Sequence, residues 1–209
     1  MQRYSDSALI ALRDHNLAPT MPVCKSAFIL TTSLDRIGGN VPTFEAWYAN
    51  LLGQRDFEVR RLLKDPAAIR FLIAWSMFEG RCFDDSANEK QIANLAERIV
   101  REGFDPEHLS DALIHFHARY QDKTRLRALL HKRKSERLAK VLSLPIAELS
   151  PTDRPFLVLF VVFRFRNNIF HGSKGVESWL QYGEEIRLCT DAMQAVISHV
   201  ERFKQKIAA

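Results

Sequence analysis

The stretch Phe156-Leu157-Val158-Leu159-Phe160-Val161-Val162-Phe163 contains no polar residue. Such a segment has no face to offer to water, so whatever it forms must be enclosed by other elements. Its aromatic and β-branched content would suit a buried strand, and periodicity cannot decide when every position is apolar. Two features favour a helix: Ser150-Pro151 is a good start signal, and no other segment reads as a strand that could pair with it. The expectation is an all-α fold, with this segment buried on nearly every side and Pro155 inside its first turn or two. The run is far short of the roughly 18 apolar residues that suggest a membrane span.

Other segments agree with a helical chain. Asp65-Pro66 and Asp105-Pro106 each place a capping acceptor before a proline at the first helical position. After the first, Ile69, Leu72, Ile73 and Met77 follow helical spacing; after the second, Leu109, Leu113, Phe116 and Tyr120 do. The pattern resumes weakly with Leu126, Leu130, Leu138 and Val141. The strongest stripe is near the C-terminus, where Trp179, Tyr182, Ile186, Cys189, Met193, Val196, Val200 and Phe203 step by three or four. The first sixty or so residues are less regular. They suggest a short helix over Ser7 to Asn16, a turn at Ile37-Gly38-Gly39-Asn40 and a longer helix over Thr43 to Leu63. The organisation expected is an N-terminal helical extension over residues 1–64, packed on a helical domain over 65–209.

The 209 residues carry a net charge of +5, and its placement is uneven. Between Arg119 and Lys140 stand nine basic residues against Asp122 and Glu136, while the rest of the chain holds 21 basic and 23 acidic residues. All the excess positive charge therefore lies in one segment, as expected for a polyanion partner. Within it, Arg125, Arg127, Lys132, Arg133, Lys134 and Arg137 are the candidates for RNA binding; a plain solvated helix face is the alternative. Cys24, Cys82 and Cys189 are odd in number and far apart. The N-terminus lacks the basic-then-apolar layout of a secretory signal. These features predict a soluble, cytoplasmic protein from a reducing compartment. His115 and His117 are two apart and so on opposite sides of a helix. No His, Cys, Asp or Glu group has metal-ligand spacing, and neither a metal nor a cofactor is expected.

The apolar run leads into Arg166-Asn167-Asn168-Ile169-Phe170-His171-Gly172. A fixed cation beside a group that exchanges a proton near neutral pH suits chemistry on a phosphodiester. Arginine, a polar residue, three more residues and then histidine, placed between the last two long helices, resembles the motif of HEPN-domain ribonucleases. The resemblance covers roughly Asp65 to Lys206 and implies an all-α, HEPN-like helical bundle. Arg164 fits a looser version of the motif, but Arg166 is preferred because Asn167 follows it.

On an unbroken helix Arg166 and His171 would stand about 140° apart around the axis, whereas Asn167 and His171 share a face. Gly172 is a plausible end for the helix, which would let His171 swing toward the arginine. The other solution pairs two copies, Arg166 of one facing the partner's His171. Composite sites in a homodimer cleft are what the resemblance implies. It also implies metal-independent cleavage of RNA, in which the ribose 2′-oxygen attacks the adjacent phosphate and leaves a 2′,3′-cyclic phosphate. His171 would then be the general acid or base and Arg166 the stabiliser of phosphoryl charge, with Asn167 orienting the histidine or contacting the phosphate. Supporting candidates are Glu79, Asn168 and Arg164. Glu79 is either an acidic residue facing the motif arginine or a helix-end carboxylate reaching solvent. Such proteins often resemble toxins or phage-defence effectors restrained by an antitoxin or another regulatory protein. The alternatives are a non-catalytic HEPN-like module binding RNA or a protein partner, and a purely structural interaction protein.

Overall fold

The computed structural model describes residues 42–53, 55–84, 86–131, 133–170 and 180–209, with Leu52 and Phe170 described by their backbone alone. Among the described residues there are nine α-helices and no strands: α1 Phe44–Leu52, α2 Asp56–Leu63, α3 Pro66–Cys82, α4 Glu89–Arg101, α5 Ser110–Arg119, α6 Lys123–Leu130, α7 Glu136–Ser143, α8 Asp153–Phe170 and α9 Gly183–Ala208. The fold is all-α. The apolar run is helical and forms most of α8. The Ser150 hydroxyl accepts the Asp153 amide at 3.1 Å and donates to its carboxylate at 2.7 Å, so the start signal works as expected. Pro155 falls in the first turn, where a missing N–H costs no helix bond.

Phe156 to Phe163 are all buried, and α8 packs against α4, α5, α6, α7, α9 and the 3₁₀ turn at Pro106–Leu109. A helix with no polar face is stable only in such a sleeve. The most extensive helix pair is α3 with α9. On α9, Ile186, Cys189, Met193, Val196 and Val200 are buried as their spacing predicts. Burial raises both described thiols, Cys82 to about 12 and Cys189 well above its ordinary value. No helix among the described residues is long and apolar enough to cross a membrane.

Several expectations are corrected. The single helix over Thr43 to Leu63 is two helices, because Gly53 ends α1 in the left-handed conformation at φ +63°. Only glycine adopts that conformation without strain. Asp105-Pro106 opens a 3₁₀ turn, and α5 begins only at Ser110. Ile69, Leu72, Ile73 and Met77 are helical on α3 as their spacing predicts, and they face outward, Ile73 being 58% and Met77 50% exposed. The buried face is Phe71, Trp75, Phe78 and Cys82. Both faces of α3 are apolar, and the one carrying three aromatic rings has more area to bury. The compact unit Val41–Ala209 includes α1 and α2. Ala49 and Val59 are buried with Leu62 and Leu180 packed against them. The turn at residues 37–40 and the helix over Ser7 to Asn16 lie outside the described residues, as do Cys24 and Trp179.

Asp65 caps α3 by accepting the Ala67 amide at 2.9 Å. Asp65→Ala is expected to lower stability by about 1 kcal/mol, read as a shift in the urea midpoint at unchanged slope.

Candidate functional site

The last two turns of α8 carry two sets of polar groups that serve different neighbours. Arg164 and Asn168, four residues apart, share one face. Arg164 donates from Nε to the Leu129 carbonyl at 3.1 Å and from Nη2 to the Leu130 carbonyl at 2.9 Å. Asn168 donates from Nδ2 to the same Leu129 carbonyl at 3.2 Å. Those are last-turn carbonyls of α6, which have no partner within their own helix. The helix stops there because His131 turns left-handed, at φ 49°. Arg164 is only 5% exposed. Burial first and the Arg133 charge second pull its pKa below the ordinary value, while Glu89 opposes them. The end of α6 carries the negative pole of the helix dipole, which suits a guanidinium. Arg164 and Asn168, expected as supporting site residues, thus fasten α8 to α6.

Arg166 and Asn167 face elsewhere. The Arg166 guanidinium sits over the Trp75 ring of α3, 5.3 Å from its centroid, and Nη1 donates to Asn167 Oδ1 at 3.0 Å. Asn167 thereby orients the arginine. The Trp75 indole N–H donates to Glu79 Oε2 at 3.1 Å, and the Ala87 amide donates to Glu79 Oε1 at 3.2 Å. Glu79 is therefore neither turned to solvent nor set directly against the arginine in these contacts. It is half-buried, ties the chain after α3 back onto that helix, and reaches the motif through Trp75. A carboxylate removed from water needs such donors. Trp75, unrecognised from sequence as a site residue, is the link. The one available signal was its position four residues before Glu79 on the same helix. His171 and Gly172 lie outside the described residues.

The basic segment divides as well. Arg125, Arg127, Arg133 and Lys134 are exposed around α6 and the connection to α7. Arg137 is engaged inward: it pairs with Glu97 at 3.1 Å and Asp153 at 3.5 Å, and its guanidinium lies 4.3 Å from the Phe156 ring centroid. Arg119 pairs with the buried Glu185 at 2.6 Å. Lys132 lies outside the described residues. Counting charge along the chain does not separate cations used in packing from those left to solvent. Because Arg164 and Asn168 hold the end of α6 against α8, exposed cations of the basic segment stand at the same end of α8 as Arg166. His115 and His117 diverge as expected: His115 approaches Glu184 and Glu185 on α9, and a His117 ring nitrogen meets the Leu144 carbonyl at 2.8 Å. Among the described residues no three His, Cys, Asp or Glu side chains form a group that could hold a metal ion.

No family model, curated protein or solved structure matches the chain.

Proposed function

We propose that the chain is a cytoplasmic, HEPN-like endoribonuclease that works as a homodimer without a metal. The observation that carries this reading is the hydrogen-bonded junction of α6 with α8, which sets exposed cations beside the helix end bearing Arg166 and Asn167. A polyanion attracted to α6 is thereby brought to the motif. In the reaction proposed, the ribose 2′-hydroxyl loses its proton to His171 as its oxygen bonds to phosphorus. The bond from phosphorus to the 5′-oxygen breaks, that oxygen takes up a proton, and a 2′,3′-cyclic phosphate remains. Arg166, oriented by Asn167 and backed by Trp75, stabilises the charge that gathers on the phosphoryl oxygens. RNA is required because DNA lacks the attacking hydroxyl. Pairing Arg166 with the partner's His171 removes the angular mismatch between two residues five apart on one helix. Service as a toxin or phage-defence effector, restrained by an antitoxin or another regulatory protein, belongs to the same reading.

A second reading is a non-catalytic module that binds RNA or a protein. Its support is the outward apolar stripe of α3, Ile69, Leu72, Ile73 and Met77, which suits a protein partner. One experiment separates the two: RNA cleavage in excess EDTA by wild type and His171→Ala, with end-group analysis. Cyclic-phosphate ends from wild type and a loss of about 100- to 10,000-fold in the variant are expected, with the circular dichroism spectrum unchanged. Equal cutting by both proteins, or no cutting of diverse RNAs by a folded dimer, would sink the catalytic reading.

A further inference from the structure

On the α5 and α9 side of the same helix end is a cavity that the motif does not use. Phe165, Ile169 and Ile186 give it apolar walls, and Ala128 and Arg125 of α6 also line it. It has about 70 Å³ of space and is open to solvent on one side, so a flat ring could enter it by an edge without being enclosed, since a cavity of about 150 Å³ is needed to hold a whole benzene ring.

One wall is held rigid. The Tyr182 ring meets Phe165 edge-on, with centroids 6.0 Å apart at 86°, and the Arg119 guanidinium lies 5.6 Å from the Tyr182 centroid. Arg119 is itself fixed at 2.6 Å by the buried Glu185 carboxylate, so that pair brings the wall no net charge. Arg125 differs: it is exposed, and its nearest carboxylate, Asp122, is engaged as the cap of α6, accepting the Thr124 and Arg125 backbone amides at 2.7 and 3.0 Å. Asn168 also lines the cavity, with its Nδ2 on the Leu129 carbonyl; its amide oxygen is a hydrogen-bond acceptor.

An apolar slot with an ordered aromatic wall, an acceptor and a cation at its border fits a flat ring that bears a donor and has one anion attached. An inorganic anion would leave the apolar walls unused, and a fatty carboxylate, which has no donor, would leave the Asn168 acceptor unused. We propose that the cavity between α5, α6, α8 and α9 receives the edge of one unstacked nucleobase, with its phosphate on Arg125. This deepens the RNA reading and rests on it for the source of the nucleotide. Single-stranded RNA is commonly recognised by splaying a base onto aromatic side chains. The base pocket would then select the nucleotide that positions the strand across the motif.

The test is an NMR titration of the full-length protein with each nucleoside 5′-monophosphate, alongside binding of a short single-stranded RNA. Wild type is compared with Ala128→Trp, which fills the cavity, and with Arg125→Glu. Both sites are exposed, so either variant can serve if the other does not fold. The expected result is nucleotide-dependent shifts at Phe165, Ile169 and Tyr182 in wild type, with affinity lowered about tenfold or more in each variant. Removing the base from one position of the RNA should weaken wild type similarly and leave Ala128→Trp unaffected. RNA binding without nucleotide binding would overturn the pocket and spare the RNA reading. Nucleotides that bind wild type and variants alike would also overturn it. Nucleotides captured at the cavity without any RNA binding would uphold the pocket and remove RNA as the source. Binding of neither would overturn both.

Discussion

Replacing Arg164 with alanine is expected to lower stability by about 2–4 kcal/mol, while Arg166→Ala is expected to cost less and to abolish the proposed RNA cleavage. The two arginines are two residues apart on one helix, and their roles are opposite. Arg164 is almost wholly buried, and its donors serve two α6 carbonyls, of Leu129 and Leu130, whose other donors are the Asn168 amide and the Arg133 backbone N–H. Truncation loses two charge-assisted bonds and leaves a hole where a buried side chain stood, which together are costly. Arg164→Lys does not restore the loss, because a single ammonium cannot reproduce the planar fork that reaches both oxygens. Arg166 lies over Trp75 and is half-buried, so its losses include a cation–π contact of order 0.5–1 kcal/mol and the hydrogen bond to Asn167. Its chemical effect is expected to be much larger, about 100- to 1,000-fold in cleavage rate. Urea denaturation and a cleavage assay on both variants decide the matter. If Arg166→Ala proves the more destabilising, or Arg164→Ala the more selective for activity, the assignment of faces on α8 is wrong.

The other large effect is in the sleeve around α8. Phe160→Ala should cost about 3–5 kcal/mol, since it empties a ring-sized space in a close-packed core. Phe160 is 1% exposed and stacks obliquely on Phe156, with centroids 5.7 Å apart. Packing on all sides leaves little slack for the surroundings to collapse into the hole. Much of a domain's usual 5–15 kcal/mol margin would be spent at once. Phe160→Leu retains most of the volume and should fall well short of that loss, which keeps the comparison measurable even if the alanine variant does not fold. Equal midpoints for the two variants in urea would show that the site relaxes freely and that the sleeve is loosely packed.

How far the sequence could be read depended on whether a residue's partner was near in the chain or across the fold. The start of α8 was legible because Ser150, Pro151 and Asp153 are neighbours, and the stripe on α9 because one face alone is apolar. The buried face of α3 was not, since Ile69, Leu72, Ile73 and Met77 and the set Phe71, Trp75, Phe78 and Cys82 both satisfy helical spacing. Only the aromatic area separates them. In the candidate site, Asn167, the residue that singles out Arg166 over Arg164 in the sequence, accepts a hydrogen bond from Arg166. The duties of Arg164, Asn168 and Arg137 are set by groups roughly 35 or more positions away or on other helices. No local pattern encodes them.

The clasp between Arg164 and Leu130 closes a loop across 34 positions of sequence. Loop-closure entropy grows only with the logarithm of length, about 0.6 kcal/mol for each doubling. The connection through Arg133 and Lys134 is exposed, so extra residues there would add little to the cost of closing the clasp. Changes in the length of that connection can therefore alter how far its cations extend while leaving the end of α6 seated on the motif helix.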